Sequence, residues 1–204
     1  MRSPLRYIVF EGIDGAGKST QISSLCDTLE KFSYTTVRLA EPTYGQYGMR
    51  IRATMNESEN LSIEKQRELF TLDRREHIER KIKPLLEFIK ENDEFLIVQD
   101  RYYLSASAYQ ARSVDEMGVV LTEQQSFAPR PDVVFLLDVP VEIAMERLTN
   151  AGKKRSLFEQ PDLLDKIRGR YLTLAEEKSE PIQVIDASLP AEEVSQKVRE
   201  YLGL

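Results

Sequence analysis

The chain has 204 residues, 41% hydrophobic and 30% charged, a size and balance that support a folded core and exclude a disordered protein. Its net charge of −6 argues against general binding to nucleic acid or membrane surfaces, and its one cysteine, Cys26, excludes an intrachain disulfide. The apolar run YIVF near the start is too short for a signal-peptide core, and the longest uncharged stretch, YYLSASAYQA, falls well short of a membrane span. These features predict a cytoplasmic protein, and the lack of repeats or linker-like tracts predicts one domain over 1–204.

In chain order, the run YIVFE (7–11) predicts a first strand. A helix is predicted over Ser19–Phe32, with Ile22, Leu25, Cys26 and Leu29 on its apolar stripe. A second strand follows at 34–40, then a long helical stretch over 62–91 that Pro84 should kink or break. A strand at 94–99 leads to a helix near 103–111, and a strand at 132–139 to a helix at 141–149. Helices at 162–178 and 191–202 flank a last strand at 181–187. Runs such as VVFLL are apolar throughout, as in strands buried on both faces of a parallel sheet. The pattern predicts an α/β fold of three layers, a five-stranded parallel sheet flanked by helices. Ligands then bind beyond the carboxyl ends of the strands, where Glu11, Glu41, Asp100, Arg101, Asp138 and Asp186 lie.

Between the first strand and its helix, residues 12–19 read GIDGAGKS, which fits G-x-x-x-x-G-K-S/T. Gly12, Ile13, Asp14, Gly15, Ala16 and Gly17 let backbone N–H groups curl round a phosphate, and the helix points its positive end at the anion. Lys18 can reach the β- and γ-phosphates, the Ser19 hydroxyl can bind Mg²⁺, and Thr20 completes the set. The loop is therefore read as a nucleotide-phosphate site of the P-loop NTPase type, which does not by itself name the job. A GTPase should also carry N-K-x-D, and a transporter ATPase LSGGQ; neither occurs. Asp115–Gly118 fits D-x-x-G, but no apolar strand leads into it, so the match is read as chance. Asp100 and Arg101 follow the buried run FLIV and can serve a metal shell and a phosphate respectively.

The sequence resembles the thymidylate kinases along nearly its whole length. The landmarks are FEGIDGAGKST (10–20), EPTYGQYGMRIR (41–52), LFTLDRREHIERKIKPLL (69–86), DRYYLSASAYQ (100–110), PDVVFLLDVPVEIAMERL (131–148) and RSLFEQPDLLDKIRGRYLTLA (155–175). The resemblance implies transfer of the ATP γ-phosphoryl group to dTMP. It implies that Phe70 stacks on the thymine, and that Arg74, one helical turn on, and Gln110 hydrogen-bond the base. Arg101 would hold the dTMP phosphate and Asp14 would touch the sugar hydroxyl or the metal-bound water. Asp100 would order Mg²⁺ through water, Tyr109 would crowd out a ribose 2′-hydroxyl, and Glu159 would be a substrate-side acid. The basic stretch AGKKRSLFEQP (151–161) resembles a lid, with Arg155 as the transition-state cation and Lys153 and Lys154 as alternates. The lead catalytic set is Lys18, Arg101, Arg155 and Asp14. Family members commonly pair as homodimers through helices, which implies the same here.

Related enzymes often read R-E-P-G-G-T after the second strand, whereas this chain reads AEPTYG at 40–45, with Arg38 near. The one histidine, His77, sits in a charged helical run and is read as a structural or surface residue. A kinase of another nucleotide or deoxynucleoside, and a nucleotide-binding regulator that transfers nothing, are the competing readings.

Overall fold

The computed structural model describes residues 5–56, 61–152 and 160–204. Five strands form one sheet in the order β2-β3-β1-β4-β5: β1 (Tyr7–Glu11), β2 (Thr35–Ala40), β3 (Phe95–Asp100), β4 (Val133–Asp138) and β5 (Ile182–Asp186). Every pairing is parallel. The central β1 is buried along its whole length, as is β4 from Val133 to Leu137, because helices cover the sheet. The expected α/β architecture is thus present, and all five expected strands agree to within a residue or so.

Register sets the site. Phe10 pairs with Asp100 on one side and with Phe135 on the other, so the strands end together and present Glu11, Asp100 and Asp138 at one edge. Helix α1 (Lys18–Lys31) follows the glycine-rich loop and buries Ile22, Leu25, Cys26 and Leu29, as its sequence stripe requires. It packs on α9 (Ala191–Leu202) and on the strands. Helices α3 (Ile63–His77), α5 (Tyr103–Gln110) and α8 (Pro161–Glu176) pack in a row, and α7 (Val141–Asn150) lies beside α8.

The expected break at Pro84 takes another form. A π-turn over Ile78–Ile82, with Lys83 N–H bonded to Ile78 O, joins α3 to α4 (Lys83–Lys90). The wider turn comes just before the residue that cannot donate, so helical structure runs on past the proline. Two helices were not expected. In α2 (Gln46–Asn56) the apolar stripe is thin, with Ile51 buried but Met49 exposed. In α6 (Val114–Gln125) Met117, Val120, Leu121 and Gln124 face inward at helical spacing, and Ser113 caps Glu116 N–H at 3.3 Å. Asp115–Gly118 lies inside α6, which removes it as a nucleotide motif. No described helix is long and apolar enough to cross a membrane.

Candidate active site

The loop between β1 and α1 folds as only glycine allows. Gly15 has φ +83°, and a β-carbon there would lie 2.4 Å from Ala144 O. Gly12 has φ +139°, and a β-carbon would lie 2.7 Å from Leu137 O. Small residues at these positions seat the loop against β4 and α7 and leave backbone N–H groups free to curl. Gly17 caps α1, whose positive end faces the loop.

Lys18 folds back over this loop. Its Nζ donates to Gly12 O at 3.1 Å and Ile13 O at 3.0 Å. Burial lowers its pKa, and the Arg101 charge adds to the effect, while Asp100, Asp14 and Glu11 oppose it. Ser19 and Thr20 are exposed on the first turn of α1.

Arg101 stands at the tip of β3 with φ 63°, a left-handed conformation fixed by its N–H to Phe10 O at 2.9 Å. Its Nη2 donates to Asp14 Oδ1 at 2.7 Å and Tyr109 Oη at 3.0 Å. Its Nη1 reaches Ser105 Oγ at 3.3 Å and Tyr171 Oη at 3.4 Å. Burial works against its charge, but Tyr109, Asp14, Tyr171 and Asp100 outweigh burial and hold its pKa well above the ordinary value. The structure therefore brings Asp14, Lys18, Asp100, Arg101 and Tyr109 together. Asp100 Oδ1 is a buried acceptor with no protein partner among the described residues.

Beneath this cluster lies Glu11, fully buried. It accepts from Tyr102 N–H at 2.8 Å, Ser105 N–H at 3.2 Å, Ser105 Oγ at 2.7 Å and Tyr171 Oη at 2.8 Å. Burial raises its pKa, and Arg101 with these donors pulls it back. Sequence reasoning noted Glu11 only as a strand end and missed Tyr171. No local signal marks Tyr171, because its partners lie 66 and 160 residues away in the chain.

The residues expected on the acceptor side, Phe70, Arg74 and Gln110, sit on α3 and α5. Phe70 is half-buried and lies outside the packed core. Arg74, by contrast, is 1% exposed and bonded to Glu41, Gln124 and Tyr102 O. Gln110 is buried, and its Oε1 has no partner among the described residues. His77 is buried rather than surface, with Nδ1 3.1 Å from Glu41 Oε1. The Glu41 loop joins this group to β3, since Glu41 N–H bonds Asp100 O at 3.0 Å.

Several expected participants fall elsewhere. Arg38 turns to Asp27 at 3.6 Å, and the cation that reaches the Glu41 loop is Arg52, from helix α2. Arg52 donates to Pro42 O at 2.5 Å and Thr43 O at 3.3 Å and covers the Tyr44 ring at 4.4 Å. Asp138 is held by a two-pronged pair with Arg168 at 2.6 and 3.0 Å, and Asp186 turns onto Ser188. A small pocket of about 130 Å³ opens beside Gly17 and Thr20, lined by Arg147, Ala187 and Leu189 among others. Lys153, Lys154, Arg155 and Glu159 lie outside the described residues.

A family model described as Thymidylate kinase matches residues 10–198. A thymidylate kinase of Akkermansia muciniphila is 40% identical over 98% of this chain and 92% of its own length. A probable thymidylate kinase of Archaeoglobus fulgidus is 39% identical over 96% and 93%, and a thymidylate kinase of Desulfotalea psychrophila 38% over 85% and 83%. With a phosphate loop, a hydrogen-bonded arginine at the tip of the neighbouring strand and this extent of similarity, the chain belongs to the thymidylate kinase family.

Proposed function

We propose that the protein transfers the γ-phosphoryl group of MgATP to dTMP, giving dTDP. The observation that carries this reading is the meeting of two cationic sites: Lys18 over the phosphate loop and Arg101 at the tip of the adjacent strand. One cradle suits a donor triphosphate and the other an acceptor monophosphate.

On the donor side, the amides of Gly12–Thr20 hold the phosphates. Lys18 exchanges two loop carbonyls for phosphate oxygens, which returns its charge to a full partner. Arg147, with Ala187 and Leu189, supplies a slot for a planar base, the guanidinium lying on its face. The residues fit a Mg²⁺ ion that keeps most of its waters: Ser19 offers a hydroxyl, and Asp100 Oδ1, without a partner among the described residues, offers an acceptor to a bound water. When bound, the ion neutralises charge on the donor phosphates.

On the acceptor side, Arg101 takes the dTMP phosphate, with Asp14 and Tyr109 steadying its fork. Arg52, which reaches the Glu41 loop from α2, is the second cation within that region. Tyr109 excludes a 2′-hydroxyl, Phe70 stacks on the thymine, and Arg74 with Gln110 reads its edge. A monoester phosphate has a second pKa of about 6, so the nucleophile is already mostly a dianion and needs no general base. We assign the transition-state charge to Arg155, with Lys153 and Lys154 as alternates, and a substrate-side role to Glu159, all outside the described residues. We place the enzyme in the cytoplasm as one domain and as a homodimer, for which exposed Met49, Val114 and Val119 on α2 and α6 supply apolar surface.

The test is ADP release with MgATP against dTMP, dUMP, UMP, CMP, AMP and GMP, with a no-acceptor control. A strong preference for dTMP is expected. Preference for another acceptor would reassign the substrate, and release independent of every acceptor would leave a nucleotide-binding regulator.

A further inference from the structure

Arg74 is the largest fully buried side chain among the described residues, so its charge is shut off from bulk solvent. Its Nε and Nη2 both lie 2.8 Å from Glu41 Oε2. Nη1 donates to Gln124 Oε1 at 2.6 Å, and Nη2 to Tyr102 O at 3.1 Å. By count, these hydrogen bonds use three of the five guanidinium N–H groups; Nη2 meets Glu41 as an ion pair as well, and the second N–H on Nη1 is spare among the described residues. The partners are themselves held. The other Glu41 oxygen meets His77 Nδ1 at 3.1 Å, and the Gln124 amide nitrogen donates to Thr71 Oγ1 at 3.1 Å.

This arrangement bears on which base can be read. A guanidinium donates, never accepts, and keeps its proton at any working pH. A base edge meeting the spare N–H must offer an acceptor, the 4-keto oxygen of thymine or uracil rather than the 4-amino group of cytosine. Gln110, the other residue at that edge, does not discriminate alone. Its Oε1 has no partner among the described residues, so the amide can turn to offer either a donor or an acceptor. Selection between keto and amino pyrimidines therefore rests on Arg74 staying in place.

We propose that Glu41 is a positioning residue for base selection, with Gln124 as a second hold, and that both act through Arg74. This rests on the reading that Arg74 faces the acceptor base. Loss of one charge-assisted hold lets the guanidinium rotate, so the base meets a loose donor instead of a fixed one.

The experiment measures kcat and KM for dTMP and dCMP at saturating MgATP in the wild type, Glu41→Gln, Gln124→Leu, Arg74→Met and Glu41→Gln with Arg74→Met. Melting curves establish that each variant folds. Glu41→Gln is expected to raise KM for dTMP about tenfold, with kcat within about threefold, as for a lost charge-assisted hydrogen bond. The dTMP-to-dCMP ratio of kcat/KM falls with it, by about tenfold, and Gln124→Leu lowers the ratio in the same direction. In the Arg74→Met background Glu41→Gln adds nothing further to the ratio, because the residue it positions is gone. An unchanged ratio in both single variants, while Arg74→Met loses it, overturns the positioning role alone. Full additivity in the double variant also overturns it, since Glu41 would then act by itself. An Arg74→Met enzyme that keeps the wild-type KM and ratio overturns the reading of Arg74 together with the proposal. Should Glu41→Gln fail to fold, an unchanged ratio in Gln124→Leu is the overturning result.

Discussion

Lys18 carries a charge that the empty fold tolerates poorly. It is buried with two carbonyl oxygens and faces Arg101, and its pKa is lowered from 10.5 by burial first and by that like charge second. A lowered value means the folded state holds the proton less tightly than the unfolded chain. The charge therefore costs stability at every pH below the folded value, and the cost fades as pH rises toward 10.5. Lys18→Met is expected to raise the nucleotide-free melting temperature at neutral pH by roughly 2–4 °C, the shift for about 1 kcal/mol in a chain of this size. The same variant should lose at least about a hundredfold in kcat/KM, since a donor aimed at transferring phosphate is gone. A lower melting temperature would mean that the two carbonyl bonds outweigh burial. The arrangement is a local exchange of stability for function.

At the scale of elements, α6 was hidden in the sequence although its signal was there. Ser113-Val-Asp-Glu116 is the pattern of a capping box, and Met117, Val120 and Leu121 follow at helical spacing. The box closes only halfway, because Glu116 Oε2 accepts from Arg112 N–H at 2.6 Å instead of from Ser113. Ser113→Ala is expected to lower stability by about 0.5–1 kcal/mol in urea unfolding, as for other N-cap losses. An unchanged midpoint would assign the cap to Glu116 and Arg112. The helix matters to the site because it delivers Gln124 to Arg74. The π-turn before Pro84 shows the converse: the proline was legible, but whether the chain would bend, stop or widen depended on what Ile78 and Ile82 pack against, and both are buried in the core.

At the scale of the molecule, the sheet places Lys18 and Arg101 together at the carboxyl ends of its strands, while apolar side chains on α2 and α6 remain in water. Val119 is 66% exposed and Met49 53%. If the protein pairs through this surface, Val119→Asp should shift sedimentation equilibrium from dimer to monomer. A wild type that sediments as a monomer at micromolar concentration would remove the dimer from the proposal.

The sequence by itself determined the strands, the phosphate loop and the residues around it, because those signals are local. Apolar runs, a glycine spacing and a lysine after it lie within a few residues of one another and need no partner to be read. It also named Arg74 and Gln110, through their likeness to known motifs. Only the tertiary structure decided that Arg74 is enclosed by Glu41 and Gln124, that Arg52 rather than Arg38 serves the Glu41 loop, and that Tyr171 closes over Glu11. Those pairings join residues far apart in the chain, and a polar side chain reads the same in sequence whether it ends in water or in a buried pair. Burial chooses between the two, since an isolated charge inside the protein must find a partner.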